Sequence, residues 1–375
     1  MQKLVAFCCI VVALSAAAFF LEEHQFFSGL ENRLWDLRVR ATATPAAADR
    51  RIKLIVVDQH SLDYFAEAEG YSWPWPRALY SYVIRFLERG GAKGVAFDML
   101  YTEHSFWGVE DDLTFAKSLD ASLPVVLAAA ALDDERVTSP SRLALFRRAQ
   151  EAQLADRDFV ARFLTDVPLP PFVSVLLPEW NILRHARLFG NVRATVDDDG
   201  VFRHTQPGVR IGSTPLASLP LMLYAATTPA AEQRNLARFT DPQGRLAIRF
   251  FGPEQTYEHF SIADIIKSEQ MLAEGLGEPS ISPTRFKDAL VFVSVGAPGL
   301  FDSHPTPLSA TLLGVEYNAN ILDNLLHDSF VSKPSAPVRA LQILIFVALA
   351  AAAPLFIRRI RLQAPALAAL VLGVL

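Results

Sequence analysis

The stretch Ile52-Lys53-Leu54-Ile55-Val56-Val57-Asp58 is apolar at every position except Lys53 until its closing aspartate, and most of it is β-branched. A run of that length and chemistry reads as a strand covered on both faces, the kind that builds parallel sheets. Downstream lies Tyr71–Arg77, YSWPWPR. Each proline there removes a backbone donor and fixes φ, and each residue before a proline is pushed toward extended conformations, so the segment reads as a stiff loop. Pro76 suits the first turn of a helix over Ala78–Arg89, with Leu79, Tyr82, Val83, Phe86 and Leu87 on one face. Gly90-Gly91 stops that helix, and Val95–Asp98 is a second strand. Strand, helix and strand within about 50 residues is the spacing of a βαβ unit with a right-handed crossover.

The pattern continues with a helix over Asp111–Leu119 and a third buried run over Pro124–Ala130. Residues 133–165 form a charged insertion, expected to carry a long surface helix from about Ser141 and to close at Pro168–Pro171. Phe189–Thr195 and Val201–Ile211 flank Asp197-Asp198-Asp199-Gly200, a turn signal that predicts an antiparallel hairpin. Leu246–Phe251 and Leu290–Val295 read as strands, and Gly296-Ala297-Pro298-Gly299 breaks the latter. Gly314–Leu326 is a helix with Val315, Ala319, Leu322 and Leu326 facing inward. The expected fold is one α/β domain: a mostly parallel central sheet with flanking helices and an antiparallel hairpin addition.

Among the 375 residues 51% are hydrophobic, and the excess gathers at the two ends. Leu4–Leu21 is uncharged and about 18 residues long, near the minimum that spans a bilayer. Ala16-Ala17-Ala18 resembles a cleavage site, but the apolar residues after it favour an uncleaved signal anchor. A second apolar run, 340–357, precedes Arg358, Arg359 and Arg361, and a third begins at Ala364. The twelve residues to Leu375 reach only ~18 Å as a helix, so the chain is expected to end within a membrane helix. The positive-inside rule then places residues 1–3 and 358–363 in the cytoplasm, spans at 4–21 and 340–357, and residues 22–338 outside. Ser28-Gly29-Leu30-Glu31 fits a capping box, and Leu30, Leu34 and Leu37 follow at helical spacing.

Net charge is −5 with both signs interspersed, which leaves no basic stripe for nucleic acid. The only cysteines, Cys8 and Cys9, lie in the first apolar run. No phosphate loop, dinucleotide fingerprint, metalloprotease helix or nucleophile elbow occurs. The eight histidines fall at no metal-ligand spacing, so no metal, cofactor or catalytic set is expected. One constellation stands out. Asp58 and Asp98 close strands, and Asp302 follows the strand ending at Val295. In open α/β sheets ligands bind beyond the carboxyl ends of the strands, so these aspartates with Trp73, Trp75 and Arg77 are the candidate ligand-binding residues. The plainer alternative is that the aspartates cap helices, Arg77 ties them together and the tryptophans cover the sheet end.

The combination of ENRLWDLRVR, IVVDQHSL, WPWPR, GVAFDMLYTE, DDDGVFR, VFVSVGAPGLFDSHPTP and GVEYNANILDNLL resembles the type-2 CHASE domain, a cyclase/histidine-kinase-associated sensory extracellular domain. The resemblance runs from about Glu31 to Pro334, and its characteristic residues fall on Asp36, Asp58, Trp75, Pro76, Arg77, Asp98, Asp302, Pro307 and Asn320. It implies the input module of a bacterial inner-membrane receptor, with the sensor outside the cytoplasm and a nucleotide cyclase or protein kinase as output. It also implies partners in the membrane, a small-molecule or physical stimulus and a second copy of the chain, with the Leu30–Leu37 helix passing the signal. The competing functions are a membrane-tethered enzyme using Asp58, Asp98 and Asp302, and a non-catalytic membrane assembly protein.

Overall fold

A computed structural model describes residues 2–24, 28–134, 138–155, 158–233, 236–300, 303–332 and 334–356. The chain divides into two compact units, residues 1–42 with 333–375, and residues 43–332. In the first unit, helix α1 (Gln2–Glu23) packs against the C-terminal helix Ala336–Phe356, and Arg339 Nε meets Glu22 Oε1 at 2.9 Å. Helix α2 (Ser28–Thr42) also belongs to this unit and buries none of its residues. The expected terminal membrane spans are not supported: among the described residues no helix is long and apolar enough to cross a membrane. A span needs ~20 consecutive apolar residues. The C-terminal helix instead brings Arg339 into its first turn, held in an ion pair. The arginine loop 358–363 and the third apolar run lie outside the described residues.

The second unit opens with β1 (Ile52–Val57), α3 (Gln59–Glu67), α4 (Ala78–Gly90), β2 (Gly94–Asp98), α5 (Val109–Ser118) and β3 (Val125–Leu132). Its middle supplies α6 (Pro140–Ala155), α7 (Asp158–Asp166), β4 (Pro171–Phe172), β5 (Ser174–Leu176), α8 (Trp180–Leu183) and β6 (Leu188–Asn191). Then come β7 (His204–Thr205), β8 (Gly208–Ile211), β9 (Thr214–Ala217) and α9 (Leu219–Thr227). It closes with β10 (Leu246–Ala247), β11 (Glu258–Ser261), α10 (Ile262–Glu274), β12 (Leu290–Val295), β13 (Ser303–His304), β14 (Leu312–Leu313) and α11 (Gly314–His327).

The core is a sheet in the order β11-β1-β12-β2-β3, in which all of these neighbours run parallel. β6 adds to β3 in parallel and β5 adds antiparallel. β12 therefore sits between β1 and β2, with Val57 opposite Val295 and Ser294 opposite Asp98. The crossover from β1 to β2 skips a place that a strand from far along the chain fills. Alternation explains the layers. Ile55, Val57, Val95, Phe97, Val291 and Val293 join Phe86, Tyr80 and Phe115 in one core, beneath α3, α4, α5 and α10. Leu54, Ala96 and Phe292 are buried on the opposite face, where α9 and α11 pack together. Each of the larger side chains removed from water contributes roughly 1.5–3 kcal/mol, so both layers are heavily stabilised. α9 comes very close to the sheet because two strand residues lack side chains. A Cβ on Gly190 would lie 2.4 Å from Leu219 Cα, and one on Gly94 would lie 2.6 Å from Thr227 Cγ2.

Four points differ from or add to the expectations. First, α3 fills the segment between β1 and the tryptophan loop, for which the only reading is the alternative that Asp58 caps a helix. Second, the hairpin across Asp197–Gly200 does not form. The turn closes through Asp197 N–H to the Val201 carbonyl, but β6 joins the central sheet while β7 pairs with β10. Antiparallel pairs of consecutive strands form instead at β8–β9, turning at Gly212 with φ 60°, and at β13–β14. Third, the 246–251 strand shrinks to two residues. Asn320 Oδ1 accepts the Phe251 N–H at 3.1 Å, while Asn324 accepts the Arg249 N–H at 3.0 Å and donates to its carbonyl at 2.8 Å. Two amides four residues apart on α11 thus replace a strand partner. Fourth, the charged insertion is no mere surface helix. Gln153 of α6 is buried and brackets Phe189 on β6, accepting its N–H at 2.7 Å and donating to its carbonyl at 3.3 Å. It thereby satisfies part of an edge that would otherwise offer open hydrogen bonds.

Candidate functional site

Asp58 sits immediately beyond β1. Its Oδ1 caps α3 by accepting the Ser61 N–H at 2.9 Å, and it also accepts the Ser61 and Ser261 hydroxyls. Capping by aspartate at such a position satisfies donors that the first helical turn leaves without partners. Ser61 Oγ in turn accepts the Ala263 N–H at 3.2 Å, so one carboxylate ties the starts of α3 and α10. Asp98 ends β2 and accepts the Asn318 Nδ2 donor at 3.0 Å. With β12 between their strands, the two aspartates belong to positions ~10 Å apart, too far to share a proton directly. Asp302 lies outside the described residues.

The tryptophan loop divides its work. Trp75 is buried against Phe65, centroids 4.4 Å apart, and Trp73 meets it edge-on at 5.1 Å. The Trp107 indole donates to the Pro74 carbonyl at 3.1 Å and its ring meets Tyr71 edge-on. Trp75 is therefore a core residue, while Trp73 stays half-buried. Arg77 does not tie Asp58 to Asp98. Its Nη1 donates to Asp112 Oδ1 at 2.5 Å, its Nη2 to the Glu103 carbonyl at 2.6 Å, and its ring neighbour is Tyr101.

The aspartates that Arg77 meets were not among the candidates. Asp111 caps α4, accepting the Arg77 N–H at 2.7 Å and the Ala78 N–H at 2.8 Å. Asp112 is fully buried and accepts the Ser105 N–H at 3.1 Å. Beside them, His104 Nδ1 lies 3.0 Å from Glu179 Oε1, and Glu179 is buried as the cap of α8. The sequence signal was present as the acidic first turn of α5, which suits a helix N-terminus, but nothing local linked it to Glu179.

A second cluster lies at the other end of the sheet, where the segments entering and leaving the second unit meet. Asp323 Oδ2 accepts the Asp49 N–H at 2.9 Å and the Tyr257 hydroxyl at 3.0 Å. His327 Nε2 is 3.2 Å from Asp49 Oδ2 and 3.5 Å from Asp323 Oδ1. Burial pushes the Asp323 carboxyl up, and the Asp49 N–H, Tyr257 and His327 only partly offset it, so it stays above its ordinary 3.8. Burial acts the same way on Asp49, but the hydrogen bonds and charge of Arg51, with the charge of His327, hold it below 3.8. Burial and the Asp323 charge push the Tyr257 hydroxyl well above its usual value. Clefts of about 570 and 500 Å³ open at this end. The first is lined by Arg51, Lys93 and Leu326 among others, the second by Asp49, Lys53 and Tyr257. Neither is lined by Asp58, Trp73, Trp75, Arg77 or Asp98.

Leu30, Leu34 and Leu37 all lie on α2, which buries none of its residues. Leu30 and Leu37 are exposed and Leu34 is half-buried.

Helix α11 connects the two ends. Asn318 in its first half holds Asp98, and Asp323 with His327 in its second half hold Asp49. Fourteen helical residues span ~21 Å. Comparison with curated proteins finds no match, and comparison with solved structures finds none either. The family model of the CHASE2 domain matches residues 6–354, and the chain belongs to that family of extracytoplasmic sensor domains of signalling receptors.

Proposed function

We propose that residues 43–332 are the signal-input module of a receptor whose output is a nucleotide cyclase or a protein kinase. The observation that carries this reading is α11, a single rigid element hydrogen-bonded at one end to the carboxyl rim of the sheet and at the other to the segment by which the chain enters the unit. A stimulus that shifts α11 along its axis alters the Asp49 clasp, so occupancy of the sensor is felt where the chain leaves it. A ligand can do so only through different affinities for the two arrangements. The exposed stripe of Leu30 and Leu37 supports α2 as the transmitting helix, paired with the same helix of a second copy.

The test uses cells expressing the complete gene product, with cyclic-nucleotide level and protein phosphorylation as readouts. Asn318→Ala and His327→Ala are expected to change basal output in the same direction, since both loosen one helix. A disulfide between copies through Leu37→Cys is expected to fix the output regardless of stimulus. Output indifferent to all three substitutions would sink the reading. The enzyme alternative loses support at Asp58, whose Oδ1 is committed to capping.

A further inference from the structure

His104, Asp112 and Glu179 come from three separated segments: the loop after β2, the first turn of α5 and the residue before α8. Their ligand atoms all lie within 4.8 Å of one another, with His104 Nδ1 3.0 Å from Glu179 Oε1 and 4.0 Å from Asp112 Oδ2. The carboxylates are 0% and 2% exposed, whereas the His104 side chain is 74% exposed. Outer groups fix both acids from behind. Arg77 Nη1 holds Asp112 Oδ1 at 2.5 Å, and the Asn181 N–H holds Glu179 Oε2 at 2.8 Å. That leaves Oδ2 and Oε1 on the side of the imidazole, the arrangement by which surrounding hydrogen bonds orient metal ligands. Each retains acceptor capacity, since Oδ2 takes the Ser105 N–H at 3.1 Å and Oε1 the Asn181 Nδ2 at 3.1 Å.

The charge count points the same way. Asp111, Asp112 and Glu179 are all buried, and among the described residues Arg77 is the only arginine or lysine ion-paired to any of them. Three buried carboxylates thus gather around one guanidinium and one exposed imidazole, a donor set that suits a cation.

We propose that His104, Asp112 and Glu179 bind one divalent cation of the first transition series, with Zn²⁺ as its representative. Metal–ligand bonds of ~2.0–2.2 Å put neighbouring ligands ~3.0–3.5 Å apart, so the His104–Glu179 spacing fits as it stands. The His104–Asp112 spacing needs closing by less than ~1 Å, within reach of an exposed side chain on a loop. One imidazole with two carboxylates favours Zn²⁺ over the all-oxygen preference of Mg²⁺ or Ca²⁺, and the exposed side leaves room for water ligands. The inference stands whether or not the module signals. No local histidine spacing reveals the site, because its ligands are brought together only by the sheet and two helix starts.

The full chain, stripped of metal, is titrated with ZnCl₂ by calorimetry and its bound zinc counted after dialysis. Saturable binding of one Zn²⁺ per chain is expected, weakened at least about tenfold by His104→Ala and by Glu179→Gln. His104→Ala removes an exposed side chain, so its metal-free melting temperature is expected to match wild type and to separate lost binding from lost folding. Wild-type chain that takes up no stoichiometric zinc, His104→Ala that binds like wild type, or Mg²⁺ that binds as tightly as Zn²⁺ would overturn the proposal.

Discussion

The Arg77 guanidinium donates in two directions, from Nη1 to the buried Asp112 carboxylate and from Nη2 to the Glu103 carbonyl. Arg77→Ala leaves that carboxylate buried without its partner, a loss expected to cost about 3–5 kcal/mol in urea unfolding. Arg77→Lys keeps the charge but has no fork to reach both acceptors, and is expected to fall between the two. Arg77→Lys as stable as wild type would show that Nη2 contributes nothing. Trp75 makes the opposite case. It is 2% exposed and its indole Nε1 has no acceptor among the described residues, so its worth lies in buried area. Trp75→Phe removes that unpaired donor with some volume and is expected to cost under about 1.5 kcal/mol, against about 3–5 for Trp75→Ala. Thermal or chemical unfolding of the pair checks the ranking.

Helix α11 does at the level of an element what a strand would otherwise do. Asn320 and Asn324 stand one turn apart and satisfy backbone groups of Phe251 and Arg249. Asn320→Leu leaves the buried Phe251 N–H unpaired and is expected to cost about 1–3 kcal/mol, and Asn324→Leu, which frees the part-buried Arg249 N–H, is expected to cost less. Amide hydrogen exchange should report it locally, with Phe251 losing protection in Asn320→Leu and Arg249 in Asn324→Leu. Uniform loss across the sheet instead would mean that the amides hold the helix as a whole. The 246–251 run reads as a strand because its alternation is real, and Leu246, Ile248 and Phe250 are indeed buried. Periodicity registers burial of alternate side chains, not the source of the backbone partners. The same blindness hid the role of α6, where Gln153 lies among charged neighbours yet closes the edge at Phe189.

Across the whole molecule, stability should follow two opposed titrations at the clasp. Asp49 has a folded value below 3.8, so its contribution is present above 3.8 and is lost as pH falls through the lower folded value. Asp197, where burial is outweighed by His204 and Arg203, adds loss in the same acid range. Asp323 has a folded value above 3.8, so its contribution is present below 3.8 and disappears as pH rises through the raised value. Asp323→Asn keeps an acceptor for the Asp49 N–H but has no proton to lose, so its stability is expected to gain on that of wild type as pH rises from about 4 to 7. Parallel curves of unfolding free energy against pH for the two proteins would contradict the Asp323 assignment.

Strand chemistry alone determined much of this protein. The apolar, largely β-branched run at 52–57 and the alternating valines of 290–295 read as strands of a sheet covered on both faces, and the glycine pair at 90–91 reads as a helix stop, where Gly91 takes φ 72°. The long-separated motifs pointed to the sensor family without any need of coordinates. Tertiary structure decided the rest, because it depends on what lies opposite each residue. β12 enters between β1 and β2 from nearly two hundred residues away and holds Asp58 and Asp98 apart. Arg77 finds Asp112, and His104 finds Glu179 across a stretch of chain with no period to announce it. A pattern along the chain records which side of an element is dry; the identity of a partner is set only when the elements are packed.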